Sequence, residues 1–152
     1  MHARPREQRR GFTLVEMLVV VVIAGIVIAM VTLSTAPAEG RRLRFEGERL
    51  AALLTAARDE AQLTGRAIVW EGNVEGYRFL QRSDSGFVAI DSDILRPRRW
   101  DSAVLAVRLE GGGPPRLVFS REPLIEPFTL AIDSGTGVVT LKGDALGRIT
   151  LL

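Results

Sequence analysis

The sequence predicts an α+β protein, with a long N-terminal helix, apolar in its first half and amphipathic in its second, packed on antiparallel β-sheets. Three observations carry this expectation. Residues 12–33 read FTLVEMLVVVVIAGIVIAMVTL, apolar on every face of a helix. Residues 42–64 repeat apolar side chains at three- and four-residue spacing. Residues 66–152 alternate short β-favourable runs with clusters of Gly, Pro, Asn, Asp and Ser.

The first run is interrupted only by Thr13, Glu16, Gly25 and Thr32. As a helix it would reach roughly 33 Å, enough to cross a hydrocarbon core of about 30 Å. Arg4, Arg6, Arg9 and Arg10 precede it against a single acid, Glu7, whereas Arg41, Arg42 and Arg44 beyond it are accompanied by Glu39, Glu46 and Glu48. The denser and less diluted cluster favours residues 1–11 on the cytoplasmic side.

Charge follows the same division. The chain of 152 residues has a net charge of +2, of which residues 1–11 hold +3, so the remaining 16 basic and 17 acidic side chains sum to −1. Once the first eleven residues are removed there is no broad basic surface for nucleic acid. The chain has no cysteine, and its one histidine is His2. Disulfides, thiolate metal sites and cysteine nucleophiles are therefore excluded, as is any imidazole base or ligand after residue 11.

In the second segment Leu43, Leu50, Leu53, Leu54, Ala57 and Ala61 form the stripe to be buried, with Arg42, Arg49, Arg58, Asp59 and Glu60 on other faces. Pro37 is expected to kink or restart the helix, with Gly40 a second weak point. Thr64-Gly65 supplies a C-terminal stop, because glycine accepts the left-handed conformation that ends helices. Eight strands are expected, at 67–71, 77–81, 86–90, 104–109, 116–120, 128–132, 138–141 and 149–152, and Trp70 is expected in the core.

The candidate chemical motifs in this half are weak. Asp91-Ser92-Asp93 supplies two carboxylates, too few for a hard cation, and Gly111-Gly112-Gly113 lacks the Lys-Ser/Thr of a phosphate loop. Ser120 has no base to activate it. Arg96, Arg98 and Arg99 beside Trp100 suit either a solvated loop with its tryptophan turned inward or a stacking site for single-stranded nucleic acid. No catalytic residue, metal or cofactor is expected.

Three readings account for the N-terminal segment. A secretory signal peptide would use the small-residue triplet Ala36-Pro37-Ala38, but its apolar region should span about 7–15 residues. A plain membrane anchor leaves Glu16 unexplained, since an ionisable group in an apolar span is costly. The third takes Arg9-Arg10-Gly11, Phe12-Thr13-Leu14-Val15-Glu16 and the apolar run together, and these closely resemble the type III leader of type IV prepilins and of the pseudopilins of type II secretion.

At a finer grain, residues 95–100 (LRPRRW), 118–130 (VFSREPLIEPFTL) and 143–149 (GDALGRI) resemble the minor pseudopilin H family and its type IV minor pilin relatives. With the leader and the helix before Gly65, the likeness covers nearly the whole chain. One departure is Arg121, where the family often has glycine in a Ser-Gly-Glu turn.

The resemblance implies a pilin-like fold with a cleaved leader (1–11), a transmembrane and assembly helix (12–34), an amphipathic continuation (35–65) and a β-rich periplasmic domain (66–152). It implies cleavage after Gly11 by a prepilin peptidase, N-methylation of Phe12 and a role in subunit assembly for Glu16. The implied location is the bacterial inner membrane, as a single-pass protein. The implied partners are the other minor pseudopilins, the major pseudopilin and the inner-membrane assembly platform, and the function is structural, in the export of folded proteins. A DNA-uptake or pilus-assembly minor pilin is the rival. The net charge of −1 after the leader speaks against a nucleic-acid partner.

Overall fold

A computed structural model describes residues 14–84 and 86–152, with the backbone alone for 29–38. It divides into two compact units, residues 1–37 and 38–152. The leader, Gly11 and Phe12 lie outside the described residues.

The helix α1 runs from Leu14 to Thr64. Of the two outcomes expected at Pro37, a kink or a restart, the restart does not occur. Proline removes one backbone donor, and the hydrogen-bonded turns on either side still propagate the helix. The C-terminal stop is where the sequence puts it: Gly65 has φ +69° and its N–H donates to the Ala61 carbonyl at 2.9 Å. That conformation is the left-handed one that side-chain-bearing residues avoid.

In the unit 38–152 the rest of the chain forms two antiparallel sheets. The first contains β1 (Ile68–Gly72), β2 (Gly76–Ser83), β3 (Gly86–Ala89) and β6 (Arg116–Phe119) in the order β3-β2-β1-β6, with β4 (Arg98–Arg99) also on β2. The second contains β5 (Ala106–Leu109), β7 (Phe128–Asp133), β8 (Val138–Gly143) and β9 (Ile149–Leu151) in the order β5-β7-β8-β9. Eight of the nine strands coincide with the expected runs. The ninth, β4, lies in the segment 96–100, where no strand is expected from the sequence.

Register explains which side chains meet the helix. Trp70 is opposite Phe79 on one side and Leu117 on the other, and Ile68 is opposite Phe119. In the second sheet Leu130 is opposite Leu141 and Ile132 opposite Val139. Alternation puts these rows on one face of each sheet. They join Leu43, Leu50, Leu53, Leu54, Ala57 and Ala61 in a single buried cluster that includes Trp70. Each fully buried Leu, Ile, Val or Phe contributes about 1.5–3 kcal/mol, so this helix stripe is the main reason the two sheets share one core.

The departure at Arg121 is sterically harmless. Among the described residues no side-chain-bearing residue has positive φ, and the Glu122 N–H donates to Ser120 Oγ at 3.3 Å, so the turn closes without glycine.

Candidate functional site

The N-terminal half of α1 is the first candidate surface. Every described apolar side chain from Leu14 to Ile28 is exposed, from 85% at Leu14 to 47% at Val19. Glu16 lies in the first turn of this helix and is exposed too. Among the described residues no helix is long and apolar enough to cross a membrane. The side chains described in this unit end at Ile28, short of the about 20 residues a span needs. Part of the expected 12–34 span, and both residues of the expected cleavage site, lie outside the described residues. An exposed all-round apolar helix surface gains free energy only when lipid or protein covers it.

The second candidate lies where the segment between β3 and β5 folds over the start of the helix in the unit 38–152. Glu46 is only 3% exposed and is the one buried charged residue among the described residues. Its Oε1 accepts a hydrogen bond from Arg49 Nη2 at 2.7 Å and a long one from the Asp101 N–H at 3.3 Å. Arg49 Nη1 reaches Asp101 Oδ2 at 3.0 Å. Burial pushes the Glu46 carboxyl above its ordinary 4.5, and the neighbouring Asp101 adds to that, while the Arg49 guanidinium works against it. Asp101 is held below its ordinary 3.8 by hydrogen bonds with Glu46 and Arg49.

The same segment is anchored by Trp100, whose indole Nε1 donates to the Asn73 carbonyl at 2.7 Å and whose ring lies 4.8 Å from that of Tyr77. Trp100 is thus turned inward, as the solvated-loop reading expects. Arg98 and Arg99 do not lie in a loop, however. They form β4, paired with Gly76 and Tyr77.

Asp91, Ser92 and Asp93 are all exposed, and among the described residues no group of three or more His, Cys, Asp or Glu side chains could hold a metal ion. Gly111, Gly112 and Gly113 all have positive φ in the connection from β5 to β6, and Ser120 Oγ serves its own turn. Sequence reasoning missed the role of Glu46. The signal that could have found it is its spacing, three residues after Leu43 and four before Leu50, which puts it on the buried stripe.

An α+β protein is what these features define: one long helix with an exposed apolar N-terminal half, whose C-terminal half is the spine of a two-sheet domain. Residues 6–32 match the family described as the prokaryotic N-terminal methylation motif, and residues 46–147 match the family described as type II transport protein GspH. Type II secretion system protein H of Aeromonas hydrophila is 30% identical over 175 aligned residues, covering 97% of this chain and 95% of that protein. The solved minor pseudopilin EpsH from the type 2 secretion system of Vibrio cholerae superposes with a TM-score of 0.60, 20% identity, over 72% of this chain and 94% of that one. The type IV minor pilin FimU of Pseudomonas aeruginosa superposes with a TM-score of 0.57, 25% identity, over 75% and 90%. The chain belongs to the type II transport protein GspH family, the minor pseudopilins of type II secretion.

Proposed function

We propose that the chain is made as a precursor, cut after Gly11 and methylated on Phe12 by a prepilin peptidase, and then built into a pseudopilus near its tip. In this reading residues 1–11 are the leader, 12–34 the membrane and assembly helix, 35–65 its amphipathic continuation and 66–152 the β-rich domain. The mature protein sits in the inner membrane as a single-pass subunit with its domain in the periplasm. It acts structurally rather than as an enzyme. The other minor pseudopilins, the major pseudopilin and the assembly platform are its partners. The observation that carries the reading is the coincidence of the N-terminal methylation motif over residues 6–32 with the GspH match over 46–147 in one chain.

Glu16 has a physical role here. Cleavage creates an amine at Phe12, four residues or about 6 Å of helix away. Glu16 neutralises such an amine on a neighbouring subunit as both enter apolar surroundings, where a lone charge is costly. Glu16→Leu and Glu16→Gln should therefore keep leader processing and membrane retention and lose co-purification with the other subunits. Unchanged co-purification in both variants would remove this role.

The likeness to FimU keeps a second reading in play, a type IV minor pilin serving pilus assembly or DNA uptake. Deletion of the gene separates the two. Lost export of secreted proteins with pili retained supports the pseudopilin, and the reverse supports the pilin.

A further inference from the structure

A cavity of about 570 Å³ opens at the end of the first sheet, where β1 finishes at Gly72 and β2 begins at Gly76. Its volume lies within the about 300–1,000 Å³ of ligand-binding clefts. Four arginines line it, Arg78, Arg98, Arg99 and Arg116, against two glutamates, Glu71 and Glu75. Arg78 and Arg116 share the Glu71 carboxylate at 3.0 and 3.6 Å. Among the described residues, no carboxylate lies within 4.0 Å of Arg98 or Arg99. The Nε of Arg98 is buried without a hydrogen-bond partner, although its Nη2 reaches the Ile94 carbonyl at 3.4 Å.

These two arginines stand on fixed backbone. Their strand β4 is held on β2 by pairing with Gly76 and Tyr77, and the next residue, Trp100, is anchored to Asn73. Pro97, Pro114 and Pro115 stiffen the walls. A cavity lined by four arginines against two glutamates, with Arg98 also attracted by the nearby Asp101 carboxylate, suits planar, doubly accepting anions, which means carboxylates or phosphates. Binding of single-stranded nucleic acid would need an exposed ring for base stacking. Among the described residues the one aromatic residue lining the cavity is Tyr77, which is 4% exposed; Trp100 is buried nearby, and the exposed ring of Phe87 is covered by the Arg116 guanidinium at 5.6 Å.

We propose that this cavity is a docking site for an acidic segment of a protein partner, whose Asp or Glu carboxylates are gripped by Arg98 and Arg99. The inference stands independently of the secretion reading, since it rests on the domain alone.

The test uses the full chain in detergent and a fluorescent hexaglutamate peptide as probe, followed by anisotropy, with hexaglutamine and oligothymidylate as comparison probes. Saturable hexaglutamate binding is expected, absent with hexaglutamine and weakened at least tenfold by Arg98→Glu/Arg99→Glu. The control Arg66→Glu/Arg121→Glu, with the same change in net charge, should retain it. Arg98→Lys/Arg99→Lys keeps the charge, is the fallback if the reversal unfolds the protein, and should still weaken binding severalfold because lysine lacks the guanidinium fork. No saturable binding, equal loss in the control, unchanged affinity in the lysine variant, or tighter binding of oligothymidylate would each overturn the proposal.

Discussion

Gly76 and Arg98 meet backbone to backbone: a Cβ atom on residue 76 would overlap the carbonyl group of Arg98. The strand β4 can therefore lie on β2 only because position 76 has no side chain. Gly76→Ala should push β4 off the sheet edge and cost about 1–3 kcal/mol, the range for forcing extra atoms into a packed site. Urea unfolding measures this directly. An unchanged midpoint would mean that β4 adjusts freely and that the arginine rim is not rigid.

Trp100 closes the same region from inside. Replacing it by Phe keeps most of the ring but leaves the Asn73 carbonyl without the 2.7 Å bond it now accepts. A loss of about 0.5–1.5 kcal/mol is expected, the net worth of one hydrogen bond, because Asn73 is exposed and water can reach it. Near-wild-type stability of Trp100→Phe would show that this bond does not anchor the segment.

Glu46 predicts a pH dependence. Its folded-state pKa lies above the ordinary 4.5 because of burial. The stability it contributes is thus fully present below 4.5 and is lost as pH rises through the raised value. Asp101, held low, acts in the opposite sense, its contribution being lost only as pH falls below its ordinary 3.8. Between pH 4.5 and 7 the Glu46 effect should dominate the difference between wild type and Glu46→Gln. Unfolding free energies across that window should shift steadily in favour of the Gln variant as pH rises. A constant difference would show that Glu46 titrates normally.

Much of this architecture was legible because its rules are local. The stripe from Leu43 to Ala61 repeats at helical spacing, Gly65 marks the helix end, and eight strands have both alternation and turn residues at their ends. Strand β4 was not legible. Two arginines carry no alternation, and what makes them a strand is the missing side chain at Gly76, more than twenty residues earlier. Glu46 was obscured for a related reason, since its partner Asp101 is 55 residues away. At Pro37 the restart does not occur, because the turns on both sides carry the helix through. The cavity escaped sequence reading because its four arginines come from β2, β4 and β6 and converge only in the folded sheet.

Intact mass spectrometry of the membrane-extracted protein, expressed with its native peptidase, tests the central claim most directly. Only after Gly11 do a basic leader, a small residue and the Phe-Thr-Leu-Val-Glu segment coincide. The account predicts a mature chain that begins at Phe12 and carries one added methyl group. An uncut chain, or one beginning at Glu39, would contradict it.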